Sequence, residues 1–109
     1  MDLGDALNGL AALSQQTRLE TFRLLVRHEP VGLPAGEIAR QLDVPANTLS
    51  THIAILARAG LATSERHSRV IQYRADLNGL RALMLFLVKD CCGGNPELCG
   101  PLLTELACC

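Results

Sequence analysis

The sequence predicts a mainly α fold with one two-stranded β-hairpin. Three observations lead there. Apolar residues recur at helical spacing along most of the chain, as Leu49, Ile53 and Leu56 do. One stretch alone, residues 62–74, drops that period and reads as two short strands around a polar turn. Aromatic residues are only 3% of a chain that is 49% hydrophobic, so the core must be built from Leu, Ala, Val and Ile. At 109 residues the chain makes one domain with a small core.

Each element has its own signal. Residues 5–13 read as a short apolar helix. The stretch SQQTRLETFRLLVRHE, residues 14–29, reads as a second, with Ser14 as its N-cap. Leu19, Phe22, Leu25 and Val26 then share one face and Arg23 lies outside it. Two prolines and a glycine in EPVGLP break that helix. Residues 34–43 form a third, with Pro34 near its first turn. Residues 44–60 form a fourth, stopped by Gly60. Strands are expected at residues 62–65 and 70–74, joined by Arg66, His67, Ser68 and Arg69. DLNGLRALMLFLVKD comes next as a long helix capped by Asp76, with an apolar stripe of Leu77, Leu80, Leu83, Met84, Leu87 and Val88. Pro96 and two glycines break the chain again, and Pro101 starts a last short helix towards Cys109.

Charge is distributed unevenly around a net of −1. Residues 45–75 carry Arg58, Arg66, Arg69 and Arg74 against Glu65 alone, while acids outnumber bases on either side. No run of apolar residues is long enough for a membrane span. MDLGDALNGL has neither a basic nor an apolar leader region, so a cytoplasmic protein is expected, with no membrane partner. All five cysteines fall after residue 90: Cys91, Cys92, Cys99, Cys108 and Cys109. In a reducing compartment, clustered thiols point to metal binding or redox chemistry rather than to structural disulfides. The chain thus divides into residues 1–90, a folded body, and residues 91–109, a cysteine-rich tail of the same domain.

Helix, short turn, helix and then a hairpin with a basic tip is the winged helix-turn-helix arrangement. A helix end fits the major groove of DNA, where short polar side chains reach base edges. Asn47, Thr48, Ser50, Thr51 and His52 lie in the N-terminal half of the second helix of that pair. Arg66 and Arg69 at the hairpin tip suit phosphates or a minor groove. Double-stranded DNA is therefore the expected partner.

The stretches LSQQTRLETFRLL and QLDVPANTLSTHIAILARAGLATSERHSRVIQYRA resemble the ArsR/SmtB family of bacterial metal- and metalloid-responsive repressors. Together they cover most of residues 10–76. The resemblance implies a homodimer built from the first and last long helices, bound to an imperfect palindromic operator and released by an inducer. The family's sensor sites differ in place. One is a cysteine pair on the helix before the recognition helix, and GEIARQLD has none. Another uses Asp and His on the last long helix, and DLNGLRALMLFLVKD has no histidine. Arsenic-responsive members carry an adjacent pair of cysteines at the end of that helix and a third soon after. Cys91, Cys92 and Cys99 match this placement.

The tail chemistry agrees with the resemblance. As(III) and Sb(III) are soft and take thiolates. Gly93, Gly94 and Asn95-Pro96 allow the chain to turn back and bring Cys99 over the pair. Zinc prefers four ligands, which Cys108 or Cys109 could complete, so Cd(II), Pb(II) and Zn(II) remain alternatives. A thiol-redox or persulfide sensor on the same fold is another. No organic cofactor is expected. Nor is an enzyme, since the chain has no C-x-x-C, no phosphate loop and no Ser/His/Asp cluster.

Overall fold

The computed structural model describes residues 1–88 together with Gly100, Pro101 and Glu105. Cys91, Cys92, Cys99, Cys108 and Cys109 lie outside the described residues, as does the turn expected at residues 93–96. Gly100, Pro101 and Glu105 are helical, in keeping with the helix expected near Pro101.

Within residues 1–88, five helices and three strands succeed one another as α1 (Leu3–Leu13), α2 (Gln16–Arg27), β1 (Leu33–Pro34), α3 (Ala35–Leu42), α4 (Ala46–Arg58), β2 (Ala62–His67), β3 (Val70–Ala75) and α5 (Leu77–Val88). Helix α1 starts on Asp2, whose carboxylate accepts from the Asp5 N–H at 2.7 Å. Ser14 does not cap α2 as the sequence predicts. It closes α1, and Gln15 takes the cap role instead: its backbone is extended and its side-chain oxygen accepts from the Arg18 N–H at 2.8 Å.

The buried face of α2 also differs from the expected one. Phe22 and Leu25 are buried, but with Thr21 and Leu24, while Leu19 and Val26 are exposed. Thr21 is tolerated inside because its hydroxyl donates to the Thr17 carbonyl at 2.7 Å. With Thr21 and Leu25 one turn apart and facing in, Leu19 and Val26 rotate to the far side.

The core joins α2, α3, α4 and the strand ends through Phe22, Leu25, Ile38, Leu49, Ile53, Leu56 and Leu61. Helix α3 packs Ile38 inward, and its half-buried Glu37 accepts hydrogen bonds from Arg40 and Gln41 that hold the carboxyl down at about 2. The sheet has three strands in the order β1-β3-β2, all antiparallel. The sequence predicts only the hairpin. The extra strand is two residues long, Leu33 opposite Tyr73 and Pro34 opposite Gln72, too short for an alternating pattern. The hairpin is also longer than expected. Arg66 and His67 belong to β2, paired with Ile71 and Val70, and only Ser68 and Arg69 form the turn. Ser68 supplies the left-handed residue at φ 61°.

Candidate nucleic-acid interface

Three residues, Asp43 to Pro45, turn α3 into α4. Asp43 adopts the left-handed conformation at φ 54°, which ends α3, and Pro45 sets the entry to α4. Leu49, Ile53 and Leu56 then fix the rotation of α4 by burying one stripe. Asn47, Thr48, Ser50 and Thr51 consequently stand exposed. The hydroxyls are oriented by their own helix: Ser50 donates to the Ala46 carbonyl at 3.0 Å and Thr51 to the Asn47 carbonyl at 3.3 Å. Their donors are spent, so what they offer outward is acceptor lone pairs, which suit the amino groups of cytosine or adenine. Asn47 does the reverse. Its oxygen accepts from the Thr48 N–H at 2.9 Å and leaves the NH₂ to donate.

His52 is placed differently from the other four. It is half-buried on the flank of α4 that faces α2, with Nδ1 3.2 Å from Arg18 Nη1. Two residues that the sequence reading did not include, Ala54 and Arg58, are exposed on α4. The signal was available, since Thr51, Ala54 and Arg58 succeed Asn47 at helical spacing.

The hairpin carries Arg66 and Arg69 away from the body. Arg66 Nε donates to the Ser68 carbonyl at 3.3 Å and braces the turn. Arg69 makes no hydrogen bond or ion pair among the described residues and stands exposed at the tip. At the base of the hairpin Arg74 donates twice to Glu29, at 2.7 and 3.2 Å, and once to Glu65 at 3.5 Å. These bonds, Glu29 first, raise the Arg74 pKa and tie β3 to the end of α2. Arg74 is thus a structural clamp, and Arg69 is the charge left to meet a phosphate. Replacing Arg69 by alanine should weaken DNA binding evenly across sequences. It should lower the slope of log affinity against log salt by about one for each Arg69 that meets a phosphate, read by anisotropy across a salt series.

Helix α5 is apolar on every side. Between Leu77 and Val88 only Asn78, Gly79 and Arg81 interrupt it, yet Leu83 is its one buried residue. Leu77, Leu85 and Leu87 are exposed. Helix α1 adds a stripe at Leu3, Leu7 and Leu10, with Leu3 and Leu7 62% and 56% exposed. A helix apolar all round is one that is normally covered. The first turn of α5 also touches the end of α4. Asp76 N–H donates to the Leu61 carbonyl at 2.9 Å, the Asp76 carboxylate accepts from the Gly79 N–H at 3.0 Å, and Gly79 lies against the Gly60 backbone. The apolar helix α5 therefore begins against the backbone just past the recognition helix.

Among the described residues no His, Cys, Asp and Glu side chains gather in threes to hold a metal. None of the described helices is long and apolar enough to cross a membrane.

Comparison with known proteins agrees with this geometry. A helix-turn-helix domain model matches residues 13–65. The transcriptional activator HlyU of Vibrio cholerae is 27% identical over 86 residues, which are 79% of this chain and 77% of the relative. Its solved structure superposes with a TM-score of 0.65 at 26% identity, covering 84% of this chain and 99% of HlyU. It has also been solved as reduced HlyU, with a TM-score of 0.62 at 25% identity over 79% of this chain and 90% of that one. An ArsR-like transcriptional regulator from Rhodococcus sp. RHA1 gives a TM-score of 0.70 at 25% identity, covering 96% of this chain and 89% of that one. A protein described as a possible transcriptional regulator for arsenical resistance gives 0.65 at 26% identity, covering 73% of this chain and 80% of that one. These proteins are described as transcriptional regulators.

Proposed function

We propose that this chain is a winged helix-turn-helix regulator of the ArsR family, a homodimeric repressor that leaves its operator when As(III) or Sb(III) binds Cys91, Cys92 and Cys99. The observation that carries the reading is the closeness in sequence of α5 to the first thiols. The helix is apolar on all sides, and within four positions of its last residue, Val88, come Cys91 and Cys92. The ligand pair thus sits in sequence next to the helix best suited to a dimer interface. Likeness to a protein described for arsenical resistance supports the choice of metalloid. Repression of transcription puts the protein in the cytoplasm with its DNA.

Mechanistically, α5 is the shared part. In the dimer it sets the angle between protomers, and at Gly79 it touches Gly60, just past the end of the recognition helix. Three thiolates closing on one metalloid would change how the α5 ends pack. The two recognition helices would then no longer meet successive major grooves, about 34 Å apart. A coupling of about 1–3 kcal/mol lowers DNA affinity by roughly 5–150-fold, enough to free a promoter.

The test uses a duplex that the protein selects from a random pool. Reduced protein is followed by fluorescence anisotropy and titrated with As(III), Cd(II) and Zn(II). As(III) should release the DNA, and a Cys91→Ser, Cys92→Ser, Cys99→Ser variant should bind it equally well and stay bound. Release of that variant by As(III) overturns the three-thiol site. A second reading, a thiol-redox switch on the same fold, is favoured by the solution of a relative specifically in its reduced form. It is distinguished by release with peroxide or polysulfide in the absence of metal.

A further inference from the structure

We propose that Arg18 is a positioning residue that couples α1 to the recognition helix by holding His52 as the neutral tautomer protonated on Nε2. The inference rests on the dimeric, DNA-reading function above and names the part that connects its two surfaces.

One guanidinium reaches both helices. Arg18 Nε donates to the Ala12 carbonyl at 2.6 Å, and Nη2 donates to the Ala11 carbonyl at 3.4 Å. Both carbonyls lie in the last turn of α1, where helix carbonyls run short of intrahelical donors; that of Ala11 also accepts from the Ser14 N–H at 3.2 Å. Nη1 of the same side chain lies 3.2 Å from His52 Nδ1 on α4. An arginine only donates, so Nδ1 must accept. A ring that accepts at Nδ1 is neutral and carries its proton on Nε2.

The tautomer has two consequences. First, His52 is presented as a donor with one defined hydrogen. Purine N7 and guanine O6 in the major groove are the acceptors that match it. It complements Ser50 and Thr51, whose hydroxyls are turned into acceptors. Second, α1 bears the exposed leucine stripe and packs on α4, and Arg18 links its last turn to His52, so a movement of α1 against a partner protomer is passed to that ring. The cleft beside Arg18, about 360 Å³, is lined by Asn8, Ala11, Ala12, Ile55, Arg58 and Ala59, with no carboxylate. Backbone carbonyls and the imidazole therefore fix the guanidinium, in place of an acid.

The experiment has two arms. Nitrogen NMR of the histidine rings in the free, metal-free protein, above neutral pH, should show His52 Nε2 protonated and Nδ1 bare. In an Arg18→Gln variant that pattern should give way to a tautomer mixture. In the second arm, affinity for the selected duplex should fall about tenfold for Arg18→Gln and for His52→Asn, the upper size of one hydrogen bond between neutral groups. The double variant should lose no more than either single one, because both break one chain of contacts. His52→Asn leaves the bonds from Arg18 to α1 in place, so it reads the coupling even where Arg18→Gln folds poorly. A wild-type His52 protonated on Nδ1, or losses that add in the double variant, would overturn the proposal. Failure of the parent protein to bind any duplex would instead remove the function above, and leave the tautomer measurement standing.

Discussion

A Gly79→Ala variant is expected to unfold more easily than the parent by roughly 3 kcal/mol, the upper part of the range for overpacking. For a domain of this size that lowers the melting temperature by more than about 10 °C. Helix propensity alone predicts the opposite sign, because alanine is better than glycine inside a helix by about 1 kcal/mol. The contact decides. A Cβ at Gly79 would overlap the Gly60 carbonyl oxygen and stand 2.9 Å from its carbon, and both belong to backbone that cannot swing aside. Gly60 is itself held at φ 79°, between the end of α4 and β2, so it has little room to retreat. Gly36→Ala is the control. It lies in the first turn of α3 with nothing within 4 Å of its added carbon, and should stabilise slightly. Calorimetry of the two variants checks both signs. A Gly79→Ala protein that melts with the parent would show that α5 can slide on α4 without cost, and would remove the contact that the proposed mechanism relies on.

Why one position was legible in the sequence and another was not comes down to range. Leu49, Ile53 and Leu56 announce the buried face of α4 because helical spacing is a local property, and the polar residues between them point outward by the same geometry. The hairpin was legible for the same reason, although Ser68 at positive φ shortens its turn and moves Arg66 into β2. Contacts between distant elements leave no such trace. Ser14 looks like a helix start, yet ends α1, because serine suits either boundary and only the path of the chain decides. Arg18 and His52 are 34 residues apart, and neither has a neighbour in sequence that hints at the other. Gly79 reads as a weak spot in a helix until Gly60 is seen beside it. For α5 the apolar stripe was legible and its coverage was not. Leu77 and Leu87 belong to the expected stripe and are exposed, so the pattern describes an assembly larger than one chain.

That surplus of apolar surface leads to the expected result with the greatest effect on DNA. Leu85→Asp, on α5, and Leu7→Asp, on α1, should each yield monomers in sedimentation experiments and lower operator affinity by about 10²–10⁴-fold. The second half-site is bound within the complex when the protomers are joined, and the gain from that linkage is of this order. Both leucines are at least half exposed in the single chain, so a buried core is not disturbed by either change. A carboxylate there instead meets an apolar partner surface, where an unpaired charge is strongly disfavoured. Circular dichroism should retain the helical content of the parent, which separates lost assembly from lost fold. If both variants remain dimers with unchanged affinity, α1 and α5 do not form the interface. The thiols beyond α5 would then have no route through it to the recognition helices, and the metalloid switch would have to act on the hairpin or on α4 directly.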